Sequence, residues 1–432
     1  MRVHLMGIGG AGVSALARVY LARGDEVSGC DAQASETTAE LEDAGIAIEV
    51  GHDPEHVLGK DLLVFSGAVR EDAPELVAAR SMGVEVKTRA EALAGFIAEA
   101  DSIAVGGSHG KTTVTHMTGH ILTEAGLDPT VLVGDGSHSR AGGSRWLVAE
   151  VDESDGSLVM HHPKRAIVTN IELDHTDHFK DVDAVRDLFE KFVSALPSDG
   201  VAVLSADDER TRDLSTPARR VTYGFADSAD YRCSEDRPFA LQHDGHELGR
   251  INLRQRGRHN ISNATAAAAM ALEVGVSFAD VASALEHFPG AHRRFEFLGL
   301  FQGAAVYDDY GHHPTEVRAT LQAARELRHR RLIVVFQPHR FSRLAAFLQP
   351  FSRSFEGADR VVMLDVYSAG EDNPTGVTAR DLASQIPGAI YAGSFERVRE
   401  VLEGLVGPDD LLLLMGAGDI RKRLGDELAQ KI

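Results

Sequence analysis

Cysteine is scarce: 432 residues contain two, Cys30 and Cys233, in different regions and in no CxxC pair. This gives no support to a disulfide framework or a structural zinc cluster, and it fits a reducing compartment. Long apolar runs are also missing. No stretch of ~18 apolar residues occurs, and MRVHLMGIGG passes from one apolar strand straight into glycines without the longer apolar region of a signal peptide. The expectation is a cytoplasmic protein with no membrane partner. Basic residues are outnumbered, 44 against 65 acidic, and the net charge of -21 argues against binding nucleic acid by bulk electrostatics. An anionic ligand must therefore be held locally. There is no internal repeat and no low-complexity linker.

What is present is an ordinary soluble composition in a chain long enough for two or three domains of ~100–200 residues each. Short apolar strands alternate with helical periodicity through most of it, the pattern of parallel α/β layers. Three blocks separate. The first runs from RVHLMG through EVSGCD, DLLVFSGAV and GVEVKT. The second carries DSIAVGG, WLVAEVDESD, AIVTNIELDH and GVAVLSADD, then turns to alternation between Arg219 and Arg256 and to the alanine-rich ISNATAAAAMALEVG. The third holds AAVYDDY, RLIVVFQ, RVVMLDV and DLLLLMG. The reading is an α/β chain of three domains: an N-terminal Rossmann-like domain (1–97), a central P-loop ATPase-like parallel sheet with a small antiparallel sheet (98–291), and a C-terminal Rossmann-like domain (292–432).

Two glycine loops carry the chemistry. Gly7, Gly9 and Gly12 form GxGxxG after a strand and at the head of a helix, with Asp31 at the end of the next strand. Glycines let the backbone approach a diphosphate while the helix N-terminus supplies N–H donors. The fingerprint fits a nicotinamide or flavin cofactor and a UDP-sugar equally. The second loop, GGSHGKTT (106–113), also lies between strand and helix, but is one residue shorter than the Walker template. In it, backbone amides would wrap the phosphates, Lys111 would neutralise their oxygens and Thr112 would reach a divalent ion. Acidic strand ends follow at Glu150, Asp152, Glu153 and Asp155 and at Glu172, Asp174, His175 and Asp177. Such ends converge in a parallel sheet; their oxygens suit Mg²⁺, and a histidine leaves room for Mn²⁺.

GSHGKTT, EVDESD, NIELDH, GRHNISN (257–263), GAHRRF (290–295), DDYGHHPTE (308–316) and QPHRFSR (337–343) occur in the order seen in Mur ligases, ATP-dependent amide synthetases of peptidoglycan, where the short loop is usual. The resemblance spans all three blocks. GIGGAGVSALA and the last two motifs are most similar to the branch that adds the first residue, L-alanine, to UDP-N-acetylmuramate. A sister branch that attaches a recycled tripeptide is the alternative, and a nicotinamide-dependent oxidoreductase a remote one.

The resemblance implies that Gly7, Gly9, Gly10, Gly12, Asp31 and Ser66 bind the UDP-sugar. It places Gly106, Gly107, Ser108, His109, Gly110, Lys111, Thr112 and Thr113 on the phosphates of ATP, with His259, Asn260 and Asn263 against adenine and ribose and Arg294 reaching the nucleotide. Thr112, Glu150 and His175 would hold two Mg²⁺ or Mn²⁺ ions. Tyr310, His312, His339, Arg340 and Arg343 would surround the amino acid, with Lys111, Glu150, His175, His312, Arg340 and Arg343 as the catalytic set. His313 and Asp309 are read as braces for their neighbours. The implied reaction runs through an acyl phosphate, and its partners are ATP, UDP-N-acetylmuramate and L-alanine. A histidine, His312 or His175, or the departing phosphate would take the amine proton. The resemblance puts Phe189 where later-acting members carry a carbamoylated lysine, so no carbamate is expected. Oligomeric state is not readable from these residues.

Overall fold

The apolar runs form three sheets in the computed structural model, which describes residues 1–134, 139–176 and 178–429. The first sheet has strands β1 (Arg2–Met6), β2 (Glu26–Asp31), β3 (Ala47–Val50), β4 (Leu62–Phe65) and β5 (Glu85–Thr88), all parallel, in the order 3-2-1-4-5. The order reverses beside β1, so the loops after β1 and β4 open a crevice at the carboxyl edge, where ligands of open α/β sheets bind.

The second sheet contains β6 (Asp101–Gly106), β7 (Thr130–Leu132), β8 (Trp146–Glu150), β9 (Arg165–Val168), β10 (Val201–Ser205), β11 (Arg219–Gly224), β12 (Tyr231–Cys233), β13 (Phe239–His243) and β14 (His246–Ile251). Its order is 14-13-12-11-10-9-6-8-7. Strands β6 to β12 are parallel and buried near the centre, whereas β13 and β14 run antiparallel at one edge. The antiparallel strands thus extend the parallel sheet. The alanine-rich segment is helix Arg258–Glu273.

The third sheet has β15 (Glu296–Phe301), β16 (Ala304–Asp309), β17 (Leu332–Phe336), β18 (Arg360–Leu364), β19 (Ile390–Gly393) and β20 (Leu411–Met415), in the order 15-16-20-17-18-19. Only β15 is antiparallel to its neighbour. Continuous apolar strands are needed where helices cover both faces. Alternation then divides them: Leu332, Val334 and Phe336 pack in one core, Ile333 and Val335 in the other.

The chain gathers into two compact units. Residues 1–171, 183–252 and 263–288 hold the first two sheets, and residues 172–182, 253–262 and 289–432 hold the third. No helix among the described residues is long and apolar enough to cross a membrane.

Candidate functional site

In the first unit, strand β1 ends at Met6 and the chain turns through Gly7, whose φ of 71° favours glycine. The N–H groups of Gly7 and Ile8 donate to the Cys30 carbonyl at 2.9 and 3.2 Å. Helix Ala11–Ala22 starts at Gly10 with no side-chain cap, and uncapped first-turn amides of this kind suit an anion. Asp31 accepts the Gly9 N–H at 2.9 Å and holds the turn. Ser66 follows β4 and lies beside Gly7, where an added Cβ would come within 3.1 Å of it. Sequence reasoning missed Arg89. It begins helix Arg89–Glu99 under the Thr88–Glu91 capping box and shares a narrow crevice with Gly12, Gly134 and Glu150. Its signal was a lone arginine just beyond the end of β5.

The second loop follows β6. Gly107 has a φ of 132° and lies against Thr169, and Gly110, at 85°, heads helix Lys111–Glu124 without a side-chain cap. The loop is tied to the end of β9. Ser108 N–H donates to the Asn170 carbonyl and His109 N–H to Asn170 Oδ1, both at 2.9 Å, while Thr169 and Asn170 donate back to the His109 carbonyl. Lys111 Nζ donates to the Gly107 carbonyl at 2.6 Å and to both Glu153 oxygens at 3.0 and 2.8 Å. Burial opposes the lysine charge, but Glu153, with Asp152 and Glu150, outweighs it and raises the Lys111 pKa. Burial pushes the Glu153 carboxyl up to about 7 against the pull of Lys111. Glu153 was read as one of a cluster; its place as the lysine's anion was not foreseen.

Thr113 is buried beside Thr112 in the same first turn. Thr112 Oγ1 donates to Glu150 Oε1 at 3.1 Å, and Glu150 Oε2 accepts the Gly134 N–H at 2.8 Å. A hydroxyl beside a carboxylate is a hard-oxygen pair of the kind Mg²⁺ takes, so these residues fit a divalent ion. His175 belongs to the other unit, and Asp177 lies outside the described residues. Asn263 sits at the loop, its Oδ1 2.7 Å from where a Gly110 Cβ would be.

In the second unit, Asp174 and Arg343 form a bidentate pair at 2.9 and 3.1 Å, each side chain 7% exposed. Burial favours a neutral Asp174, but Arg343, His312, His175 and His313 hold its carboxyl well below the usual range. His175 has a φ of 50° and donates its N–H to Asp174 Oδ1 at 2.8 Å. Arg343 Nη1 lies 3.3 Å from His339 Nδ1, and since arginine only donates, that nitrogen accepts. His339 stacks on Tyr367, and His312 stands edge-on to Tyr310 and His339. Burial lowers His312 to about 4 and His339 to about 3. Both rings are neutral near pH 7.

His313 caps helix Pro314–Arg325 at Thr315 N–H, and Glu316 reaches back to the His312 N–H at 2.9 Å. Asp309 accepts from Phe295 N–H, Gly311 N–H and Thr320 Oγ1, and burial pushes it up to about 6. Arg340, at a φ of 68°, lies 3.5 Å from Glu371 and is 36% exposed. Arg294 covers one side of Tyr310 and, with Arg254 and Arg256, lines a cavity of about 380 Å³. His259 and Asn260 lie on the first turn of helix Arg258–Glu273.

Three family models match in succession: the catalytic domain of the Mur ligase family over residues 2–100, the Mur ligase middle domain over 105–271, and the Mur ligase glutamate ligase domain over 293–418. The UDP-N-acetylmuramate–L-alanine ligase of Geotalea uraniireducens is 40% identical over 449 residues, covering 100% of this chain and 98% of the relative. That of a Synechococcus strain is 42% identical, covering 98% and 90%. The solved UDP-N-acetylmuramate–alanine ligase of Thermotoga maritima superposes with a TM-score of 0.80 at 30% identity, covering 98% and 97%. A murein peptide ligase from Psychrobacter arcticus gives 0.73 at 25%, covering 100% and 99%.

Proposed function

Because the chain belongs to the Mur ligase family, we propose that it joins L-alanine to the lactoyl carboxylate of UDP-N-acetylmuramate at the expense of ATP, the first peptide step of peptidoglycan synthesis, in the cytoplasm. One observation carries the reading furthest. A single unit holds two uncapped helix N-termini on glycine turns, one at Gly10 and one at Gly110, and only the second has a lysine. Two nucleotides reacting together need both; an oxidoreductase needs one. The substrate choice rests on the relatives named above.

On this reading the domains are 1–97 for UDP-sugar, 98–291 for ATP and 292–432 for the amino acid. The lactoyl carboxylate attacks the γ-phosphorus of ATP, forming a C–O–P link as ADP leaves. The alanine amine then attacks the acyl carbon, and phosphate leaves with the C–O electrons. Lys111 and the amides of residues 106–113 balance the phosphate charge. Thr112 and Glu150, with His175, would hold a divalent ion; when bound it supplies charge screening between the anions.

Arg340, the more exposed arginine, takes the amino acid's carboxylate. Arg343 is held by Asp174 and acts as a positioning residue, fixing the His339 ring through Nδ1. His312, lowered to about 4, is a poor base for an ammonium group, so His175 or the departing phosphate receives the amine proton.

Phosphate release from ATP, measured with UDP-N-acetylmuramate and each of L-alanine, glycine, L-serine and the murein tripeptide, tests the assignment. Release should depend on both the sugar nucleotide and L-alanine. Release indifferent to the amino acid defeats it, and preference for the tripeptide assigns the chain to murein peptide ligation.

A further inference from the structure

On the face of the first sheet built around Met6, Cys30, Leu63 and Phe65, the side chains of His4, Cys30, His56 and Glu75 converge. His4 comes from β1, Cys30 from β2, His56 from the turn Pro54–Val57 and Glu75 from the first turn of helix Pro74–Met82. The donor atoms of His4, Cys30 and His56 lie within 4.8 Å of one another, as do those of Cys30, His52 and Glu75. Glu75 Oε1, 3.3 Å from His56 Nδ1, joins the two sets.

Three polar atoms in this cluster, His4 Nε2, His56 Nδ1 and Glu75 Oε2, are buried without a hydrogen-bond partner among the described residues. Glu75 is 0% exposed and His4 3%. Buried polar atoms are nearly always satisfied, and leaving one unmade costs about 1–3 kcal/mol. Three together call for a ligand. The surrounding bonds also turn the right atoms inward: His4 Nδ1 faces Ser28 Oγ at 2.9 Å and His56 Nε2 faces Glu49 at 3.0 Å. In the tautomers that donate to those partners, the lone pairs of His4 Nε2 and His56 Nδ1 are left for the cluster, the outer-shell arrangement of metal-binding histidines. His52 and the Asp53 N–H bond the remaining Glu75 oxygen at 2.9 and 3.1 Å.

We infer that His4 Nε2, Cys30 Sγ, His56 Nδ1 and Glu75 Oε2 form a four-coordinate site for a thiophilic divalent metal, Zn²⁺ by its ligand set. Thiolate, imidazole and carboxylate are the ligands of tetrahedral zinc, at ~2.0–2.3 Å, and closing the cluster onto an ion requires these side chains to move inward. Binding releases the Cys30 proton to solvent. The thiolate and carboxylate then balance the ion's two charges, leaving a buried site with no net charge. The arrangement differs from a cluster of paired thiols, which is why two isolated cysteines gave no sign of it. An ion held there also steadies the nearby glycine loop, because the Cys30 carbonyl anchors the Gly7 and Ile8 amides and fixing Cys30 fixes the first turn of GIGGAG.

The test is cobalt titration of the full-length protein after chelator dialysis, without nucleotide, followed by absorption. One equivalent of Co²⁺ should give a thiolate-to-cobalt charge-transfer band with the intense d–d bands of a four-coordinate ion, and one equivalent of Zn²⁺ should abolish both. The oxygen ligands around Glu150 have no thiolate to contribute. Cys30→Ser should remove the charge-transfer band, Cys233→Ser should leave it, and Glu49→Gln should weaken binding by ~10-fold or more. Absence of the band in the unmodified protein overturns the inference without reference to any variant. So does a band that survives Cys30→Ser or disappears in Cys233→Ser.

Discussion

Replacing Asp174 by alanine should loosen the C-terminal sheet by a predictable amount. Arg343 keeps its charge in any pocket, and here its guanidinium is 7% exposed and bound on two nitrogens by that one carboxylate. Removing one partner of a buried pair strands the other, at about 3–5 kcal/mol. With a factor of ten for every ~1.4 kcal/mol, amide protection in the strands of that sheet should fall by about two to four orders of magnitude. The only tryptophan, Trp146, lies in the other unit and does not report the change. Hydrogen exchange read by mass spectrometry on peptides spanning Leu332–Phe336 and Leu411–Met415 does.

The pH dependence has a definite sign. Arg343 and the neighbouring histidines depress the folded pKa of Asp174 against its burial, so the carboxylate stabilises the fold above its unfolded value of ~3.9 and ceases to as pH falls through the folded value. The deficit of Asp174→Ala should thus be complete at pH 7 and shrink below ~pH 4. Adding Arg343→Met removes the stranded charge and should recover most of the loss. Protection in Asp174→Ala within threefold of the parent, or a double variant no better than the single, would refute the argument.

Lys111→Met removes the cation from the phosphate loop and should lower kcat/KM for ATP by about 10²–10³-fold, measured by steady-state phosphate release; a loss under tenfold would mean that the loop amides alone carry the phosphates. Gly107→Ala should be destabilising by about 1–3 kcal/mol or more, because φ is 132° and the new Cβ meets both the Thr169 hydroxyl and, at 2.9 Å, its backbone nitrogen. Adding Thr169→Ala removes only the hydroxyl, so the thermal-shift deficit of Gly107→Ala should persist in the double variant.

Where a parallel sheet places chemistry was legible from the sequence, because a strand that must be buried on both faces is written as an apolar run, and its end is where polar residues begin. The runs ending at Gly106, Glu150 and Val168 mark one edge. Four strands that went unread are edge strands: Ala47–Val50 ends the first sheet, Thr130–Leu132 the second, and Glu296–Phe301 and Ile390–Gly393 lie at the two edges of the third, so one side of each is not packed against another strand. Edge strands need no continuous apolar run.

What the sequence did not announce is which charged group meets which. Glu153 rather than Glu150 holds Lys111, and Asp174 meets Arg343 across 169 residues. Asp31, read as a ligand group, supports the Gly9 amide. The Asp174–Arg343 pair is flanked by loop conformations that non-glycine residues rarely adopt: His175 at a φ of 50° and Arg340 at 68° hold positive values with no glycine to signal them. The His4–Cys30–His56–Glu75 cluster was hidden for a related reason. It requires Ser28 to pair with His4 and Cys30 with Met6, a register between neighbouring parallel strands, and strand neighbours are chosen by the packing of helices over the sheet rather than by anything local to Cys30. Sequence spacing finds sites contributed by one turn, whereas a site assembled from β1, β2, a turn and a helix becomes visible only when its orphaned nitrogens are counted.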